Sequence, residues 1–280
     1  MSKIAVIGIA GESVFLALDE FGKIGETTVA KDIHRELGGK GFNQAVTIAR
    51  YGVECSFLCA VNKKDVEKFS SVAKSVGITP FFIPKEEESP YAVIITDKNG
   101  SNSVCVYRGA ALDEADVDMF EEKIKSSDIL LINNETPIEV NKKAVNLAKK
   151  YGRNVILNPA PAYSYDDDFL KQIDLFTPNE HETDGLESFE NVIVTLGEKG
   201  CLIKSMGEII PPYNAERVVD TTGAGDTFNG VLAACLSEGA DIKTACKKAN
   251  LAASIKVSKK YILNSIPTKN EITEREVKNG

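Results

Sequence analysis

The sequence has no tryptophan and only two histidines among its 280 residues. Its six cysteines are scattered without a CxxC pair, so we expect buried free thiols rather than a structural zinc site or a disulfide framework. No apolar run reaches the roughly 18 residues that are needed to span a bilayer. The N-terminus superficially resembles a signal peptide, but Gly8, Gly11 and Glu12 interrupt it, and residues 4–7 are better interpreted as a buried strand. We therefore expect a cytoplasmic protein without membrane contact.

Basic residues are fewer than acidic residues. The sequence has 33 Lys and Arg against 41 Asp and Glu, which gives a formal net charge of −8. Such an acidic protein is an improbable binder of nucleic acid or of an anionic membrane. A phosphorylated ligand is not excluded, since backbone amides at a helix N-terminus bind phosphate regardless of net charge. The sequence also lacks internal repeats, low-complexity tracts and long linkers, so we expect one domain over residues 1–280.

Short apolar runs alternate with helical patterns along most of the chain. The predicted strands are 4–7, 55–61, 129–132, 155–157, 175–177 and 192–195, and helices are predicted over 43–50, 66–76 and 139–151. This alternation predicts an α/β fold with a central, mostly parallel sheet that helices cover on both faces.

Two regions break this alternation. Residues 14–18 and 27–37 look like antiparallel strands, and residues 91–96 and 103–107 look like a hairpin around a turn at 97–100. Together, from about 12–37 and 91–107, they predict a small antiparallel β lid that would keep water from a reaction. The alternative is that they are edge strands of the main sheet. Because exposed lid strands often pair between subunits, a homodimer through the lid is a hypothesis.

The segment DTTGAGDTFNG, residues 220–230, carries the strongest chemical signal. Gly223, Ala224 and Gly225 precede an amphipathic stretch, which places a small-residue turn at a helix N-terminus, where free amides bind phosphate oxygens. Asp226 lies at the same helix start, and a carboxylate beside an anion hole is what the base of a phosphoryl transfer requires. The alternative is that Asp226 is only a helix cap and the glycines only a tight turn.

This segment resembles the C-terminal signature of the ribokinase-like (phosphofructokinase B) family of carbohydrate and nucleoside kinases. GGKGFNQA at 38–45 resembles the family's N-terminal signature, and NPAPA at 158–162, TPNEHE at 177–182 and VTLGEKG at 194–200 resemble further family segments in the same order. The resemblance covers most of the chain. It implies an α/β domain with a β lid that transfers the γ-phosphoryl group of ATP, with Mg²⁺, to a hydroxyl of a sugar or nucleoside.

The resemblance also implies a role for each matching residue. Asp226 would be the catalytic base and residues 223–225 the anion hole. The substrate pocket would be lined by Gly38, Gly39, Lys40, Asn43, Glu135 and Asp220. The nucleotide would be framed by Asn179, Thr195, Gly197, Gly200 and Asn250. Mg²⁺ would be held, largely through water, by Asn179 and Glu182, and a monovalent cation such as K⁺ by Asp220, Thr222, Tyr261 and Ser265. Lys40 could instead be a solvated turn lysine, and Asn179 with Glu182 a capping box.

Several positions depart from the family's pattern. Its sugar kinases usually carry Asn-x-Asp just after the first strand, where this chain has Gly11 and Ser13. Glu12 could substitute, and His34 of the predicted lid could point at the substrate. The family's Gly-Ala-Asn after the lid hairpin reads Gly-Ala-Ala at 109–111. Because buried polar partners dominate specificity, the identity of the sugar or nucleoside stays open.

The loop predicted to bind the monovalent cation departs as well, since Tyr261 replaces the family's usual glycine.

Two other classes of function compete with a kinase. A catalytically silent sugar- or nucleoside-binding protein is favoured by the missing Asn-x-Asp and disfavoured by the intact Asp226. A dinucleotide-dependent dehydrogenase would need GxGxxG after the first strand, and residues 8–11 lack that spacing.

Overall fold

Strands and helices alternate along the computed structural model, which describes residues 3–99, 102–215 and 217–279. The strands are β1 (Lys3–Ile7), β2 (Gly11–Ala17), β3 (Asp32–Gly38), β4 (Glu54–Asn62), β5 (Ile78–Lys85), β6 (Tyr91–Thr96), β7 (Asn102–Tyr107), β8 (Ile129–Asn133), β9 (Asn154–Asn158), β10 (Leu175–Phe176), β11 (Ile193–Thr195), β12 (Cys201–Ile203) and β13 (Glu208–Ile210). The helices are α1 (Lys40–Tyr51), α2 (Val66–Ser75), α3 (Glu114–Met119), α4 (Glu121–Ser126), α5 (Ile138–Lys150), α6 (Asp167–Leu170), α7 (Ala224–Ser237), α8 (Ile242–Lys256) and α9 (Lys269–Asn279), with 3₁₀ turns at Gly197–Lys199 and Lys204–Met206.

The central sheet has the strand order β10-β9-β8-β1-β4-β5, and every neighbouring pair in it is parallel. This confirms the predicted α/β fold. Strand β5 was not predicted from the sequence, because Pro80 and Pro84 argue against a strand. Proline lacks the N–H that a sheet ladder needs, and it is tolerated here because β5 is an edge strand.

Both faces of the sheet are buried. Successive side chains of β1 alternate between two core clusters, with Ile4 and Val6 in one and Ala5 and Ile7 in the other. Helices α1, α2, α7 and α8 supply the first cluster, and α3, α4 and α5 supply the second. A strand that is covered on both faces is apolar at successive positions. These strands could therefore be predicted from continuous apolar runs in the sequence.

The strand order reverses around β1, because the chain builds β4 and β5 on one side of it and β8 to β10 on the other. In open parallel sheets, ligands bind at the carboxyl ends of the strands beside such a reversal. Gly8 follows β1 there, and a Cβ on it would lie 2.6 Å from the Cα of Gly41. Two glycines thus let α1 begin directly against this edge of the sheet.

The predicted lid is a separate four-stranded sheet with the order β3-β2-β6-β7, so its strands are not edge strands of the main sheet. The pairs β2–β3 and β6–β7 are antiparallel as predicted, whereas the middle pair β2–β6 is parallel. Gly100 of the predicted hairpin turn lies outside the described residues.

The strand predicted at 192–195 is present as β11, but it begins a second small sheet, β11-β12-β13, in which neighbours are antiparallel. Two isolated parallel bridges, Phe176 to Val192 and Asn179 to Thr195, connect this sheet with the β10 side of the main sheet. Within the described ranges, no helix has both the length and the apolarity to cross a bilayer.

Candidate active site

The small-residue turn of the DTTGAGDTFNG segment is the N-terminus of α7. Gly223 precedes the helix with φ 77°, a left-handed conformation that favours glycine. Ala224 donates its amide to the Thr221 carbonyl at 3.1 Å, so only part of the predicted anion hole is available. Within the described chain, the amides of Gly225 and Asp226 have no protein acceptor. A Cβ on Gly225 would meet no atom within 4 Å, so the space beside these two amides is open.

Asp226 lies in the first turn of α7 and is 6% exposed. Its carboxylate accepts hydrogen bonds from Asn43 Nδ2 at 2.8 Å and from Gln44 Nε2 at 3.4 Å. Both donors belong to α1, whose sequence contains the second family motif. The fold therefore joins the two signature segments at one carboxylate, which is buried, oriented and adjacent to the open amides.

Glu135 follows β8, and its carboxylate accepts from the backbone amide of Lys40 at 2.8 Å. Burial raises the pKa of Glu135 to about 7, and the ammonium of Lys40 only partly opposes this. The pKa of Lys40 is itself raised, first by Asp226 and then by Glu135 and Glu182, against the cost of burial. Lys40 is partly buried and the neighbouring carboxylates favour its ammonium, which argues against the solvated turn lysine that the sequence also allowed.

A chain of buried polar side chains connects this site to other motifs. Gln44 Nε2 donates to Asn158 Oδ1 at 3.1 Å, and Asn158 Nδ2 donates to the Thr177 carbonyl at 2.9 Å. The Thr177 hydroxyl donates to Asn229, whose Nδ2 donates to the Gly225 carbonyl at 2.9 Å. No individual role was predicted from the sequence for Gln44, Asn158, Thr177 or Asn229. All four nevertheless lie in the segments that resemble the family, and that was the available signal.

Asn179 and Glu182 contact each other in a turn after β10. The amide of Asn179 donates to Glu182 Oε2 at 3.0 Å, and the amide of His181 donates to Asn179 Oδ1 at 2.8 Å. The capping-box alternative is thus present, in a turn rather than at a helix. The charge of Glu182 also contributes to raising the pKa of Lys40, after the larger effects of Asp226 and Glu135. An amide oxygen and a carboxylate suit a hard cation such as Mg²⁺.

The residues predicted to frame the nucleotide lie around the second small sheet. Thr195 donates its amide to the Pro178 carbonyl at 2.9 Å, and Gly197 starts the 3₁₀ turn. Gly200 has φ 88°, and a Cβ there would lie 2.1 Å from the Ile210 carbonyl oxygen, so this glycine is required by the sheet itself. Asn250 is 7% exposed, and its Nδ2 donates to the carbonyls of Ile210 and Pro211, both at 3.1 Å.

The fold also brings together the residues predicted for a monovalent cation, but several of their polar groups bond to one another or to Lys256. Asp220 Oδ1 accepts from the Thr222 amide at 2.9 Å, and Asp220 Oδ2 accepts from the Tyr261 amide at 3.0 Å. The Asp220 carbonyl accepts from Lys256 Nζ at 2.8 Å. The Ser265 hydroxyl donates to the Tyr261 carbonyl at 2.6 Å. A lysine ammonium lies within this group, so the residues present do not fit a free monovalent cation.

The lid departs from the family's pattern for a steric reason. A Cβ on Gly11 would lie 2.1 Å from the Pro90 carbonyl oxygen, so this backbone leaves no room for an asparagine there. Ser13 is 5% exposed and lies against Gly38. Glu12 occupies the opposite face of β2 and pairs with Lys68 at 3.2 Å. It therefore does not take over the role of the missing aspartate.

His34 and Tyr261 connect the lid with the main domain. Their rings stack with centroids 3.7 Å apart, and Phe15 packs edge-on against Tyr261 at 5.5 Å. Tyr261 has φ 63°, a conformation that a glycine would adopt without strain. A cavity of about 540 Å³ lies beside this contact, and among its lining residues are Phe15, Asp32, Lys98, Asp220, Thr221 and Tyr261. A second cavity of about 360 Å³ includes Pro159, Tyr165 and Glu182.

Comparison with known proteins gives one consistent result. The sequence matches the pfkB family carbohydrate kinase pattern over residues 1–269. A ribokinase of Haemophilus influenzae is 34% identical, and the match covers 97% of each chain. The crystal structure of a Thermotoga maritima ribokinase superimposes with a TM-score of 0.87 at 32% identity over the whole of both chains. An Arabidopsis thaliana ribokinase complexed with ribose and ATP gives a TM-score of 0.84 at 27% identity, covering 98% of each chain.

Proposed function

Because the chain belongs to the pfkB family of carbohydrate kinases, we propose that Asp226 is the base of its phosphoryl transfer. The protein is an ATP-dependent carbohydrate kinase. In this reaction a substrate hydroxyl oxygen attacks the γ-phosphorus of ATP, the bond from that phosphorus to the ADP oxygen breaks, and the hydroxyl proton passes to a base. The observation that carries the assignment is a buried carboxylate held by two α1 amides beside open backbone N–H groups.

Asn43 and Gln44 would hold the Asp226 carboxylate in one orientation. A donor 2.8 Å from one oxygen fixes the plane of the carboxylate and leaves lone pairs for the substrate hydroxyl. The amides of Gly225 and Asp226, with the helix N-terminus behind them, would stabilise the negative charge that develops on the phosphoryl oxygens. Ala224 would contribute through the shape of the turn, since its amide is engaged with Thr221.

The substrate would lie at the carboxyl end of β1 and β8, beneath the lid. Lys40, Asn43 and Glu135 supply a cation, an amide and a carboxyl group there, and Gly38 and Gly39 let the backbone approach the ligand closely. Asp220 would act mainly by ordering its loop, because its carboxylate is bonded to two backbone amides. We propose a small sugar as the acceptor, with ribose, which the Arabidopsis ribokinase binds, as the first compound to test.

Asn179 and Glu182 would bind Mg²⁺, largely through water. When bound, Mg²⁺ would neutralise charge on the ATP phosphates. Thr195, Gly197 and Gly200 would frame the nucleotide, while Asn250 would fix the end of β13 through its two carbonyl contacts. We place the reaction in the cytoplasm, in keeping with the six free thiols of the chain.

The test is ATP turnover with a panel of pentoses, hexoses and nucleosides, followed by Asp226→Asn with the best substrate. Removing a general base costs about 10²–10⁴-fold in kcat, and we expect a loss in that range with nucleotide binding retained. Asp241→Asn is the matched control, because Asp241 caps α8 through the Thr244 amide and asparagine caps equally well. Unchanged turnover in Asp226→Asn, or sugar binding without any turnover in the wild type, would contradict the proposal.

A further inference from the structure

Lys256 is the last residue of α8 and is 0% exposed. A buried ammonium is costly unless it is paired and hydrogen-bonded, so its position requires an explanation. Its Nζ donates to the Asp220 carbonyl at 2.8 Å and lies 3.9 Å from Asp220 Oδ2. Lysine at the C-terminus of a helix is also favoured by the partial negative charge of the last carbonyls.

The ammonium lies where two loops meet. Asp220 receives the amides of Thr222 on its own loop and of Tyr261 on the other. Behind them, the carbonyl of Val257 accepts from the amides of Val219 and Asp220 at 2.7 and 3.2 Å. These loops carry the residues for which a monovalent cation was expected, and the structure places a side-chain cation of this chain among them.

Lys256 also lies directly behind the anion hole. A Cβ on Gly223 would be 3.9 Å from Lys256 Cε and 3.2 Å from Ile262 Cγ2, so the lysine stem and Ile262 support the first residue of the turn. Glu36 of the lid binds the amides of Ile262 and Leu263 at 2.7 and 3.0 Å. Burial lowers the pKa of Lys256, while Asp220, Glu36 and Asp226 act in the opposite direction and favour the charged form.

We propose that the Lys256 ammonium replaces the monovalent cation, so that this kinase carries its own cation and does not depend on K⁺. The ammonium holds the loop at 220–222 against the loop at 261–265 and keeps positive charge behind the Gly225 and Asp226 amides. Lys256 is a positioning residue, since it would act through Asp220 and the turn that its side chain supports. The inference rests on the proposed anion hole, and its test therefore includes measurements that need no sugar substrate.

The first measurement uses the wild-type protein at constant ionic strength with K⁺, Na⁺ or choline as the only monovalent cation. We expect equal turnover and equal melting temperature in all three. Activation by K⁺ of several-fold over choline, or a melting temperature that rises only with K⁺, would overturn the proposal. This measurement needs no variant and therefore does not depend on how a substitution folds.

The second measurement uses Lys256→Ala, which removes the ammonium and leaves space at its place. In choline we expect kcat to fall by about tenfold to a hundredfold, the usual effect of losing a charged hydrogen bond, and ADP binding to weaken. K⁺ or NH₄⁺ should restore much of the activity and raise the melting temperature of this variant only. Lys247→Ala, an exposed lysine of the same helix, is the control and should behave as wild type.

Absence of rescue by any monovalent cation in a folded Lys256→Ala protein would mean that the lysine only fills space, and the proposal would be wrong. If Lys256→Ala does not fold, Lys256→Met keeps the apolar stem and is expected to lower kcat without cation rescue, because no space is left for an ion. A Lys256→Met protein with wild-type kcat would equally refute the inference. If no substrate is ever turned over, the melting and ADP-binding results still decide this inference separately from the proposed reaction.

Discussion

Glu135 is a carboxyl group whose ionisation the fold opposes. Burial raises its pKa from 4.5 to about 7, and Lys40 offsets this only in part. A raised pKa in the folded state means that the protonated form stabilises folding. That contribution is complete below pH 4.5, where the unfolded chain is also protonated, and it is lost as the pH rises through about 7. The ligand-free protein should therefore lose stability from this group between pH 5 and 8.

Glu135→Gln removes that dependence, because glutamine has a similar shape and cannot ionise. The free energy of unfolding of Glu135→Gln, relative to wild type, should increase by on the order of 2–3 kcal/mol between pH 5 and pH 8. Urea denaturation of both proteins at a series of pH values measures this difference. Glu139→Gln, at an exposed position in the first turn of α5, is the control and should give a constant difference. Parallel stability curves for Glu135→Gln and wild type would show that Glu135 is not buried as described.

At the scale of elements, α7 packs on α1 through Gly230 and has Gly225 at its N-terminus, the end that we propose to be catalytic. A Cβ on Gly230 would lie 2.4 Å from Thr47 Cβ of α1, so the two helices touch there at backbone distance. This close contact brings Asn43 and Gln44 within reach of Asp226. A Cβ on Gly225, one residue before Asp226, would meet nothing within 4 Å.

Alanine at these two glycines should therefore have opposite effects. Gly225→Ala should leave the melting temperature unchanged or slightly higher, because alanine is the better helix former. Its methyl group would enter the space of the phosphoryl oxygens, and we expect kcat/KM to fall by about 10²-fold, as when one oxyanion donor is lost. Gly230→Ala should lower stability by about 1–3 kcal/mol through overpacking. Thermal unfolding with steady-state kinetics measures both, and a fully active Gly225→Ala protein would remove this glycine from the site.

The sequence predicted best those strands and helices that a local pattern of apolar residues identifies. The buried runs of β1, β4, β8 and β9 and the periodicity of α1, α2 and α5 are local signals. The C-terminal helix α9 was missed, because its eleven residues are mostly charged. It forms because Ile272, 1% exposed, packs into the main core and Glu271 accepts from the Thr268 amide at the helix start.

At the scale of the whole molecule, one face of the lid is only partly covered by the described residues: Leu37 at one end packs into the main core, whereas the other end is exposed. Phe15 and His34 pack toward Tyr261, so the alternate residues of the same strands point the other way. The exposed end of that outer face is apolar, and its register places together Leu16, Ile33, Val93 and Ile95. Exposed contiguous apolar surface of this kind marks association sites, which supports the hypothesis of a homodimer through the lid.

Val93→Lys tests that hypothesis, because it places a charge at the centre of the outer face. The wild type should elute as a dimer in size-exclusion chromatography with light scattering, and Val93→Lys should shift the protein to monomer with its fold retained. Val106→Lys, on the opposite face of the same sheet and already 53% exposed, is the control and should remain dimeric. A wild-type protein that is monomeric at micromolar concentration would contradict the hypothesis.

The sequence by itself determined the α/β architecture, the lid segments, the small-residue turn at a helix N-terminus and the carboxylate beside it. These features are recognised from the periodicity of apolar residues, from turn-forming residues and from helix-end signals. All three signals come from residues that are close together in the sequence. Only the tertiary structure decided what surrounds that carboxylate. Asn43 and Asp226 are 183 positions apart, and no local pattern predicts that α1 and α7 meet at Gly230. The same holds for Lys256, which reads as one more lysine on an amphipathic helix until the fold buries its ammonium 36 positions away against Asp220.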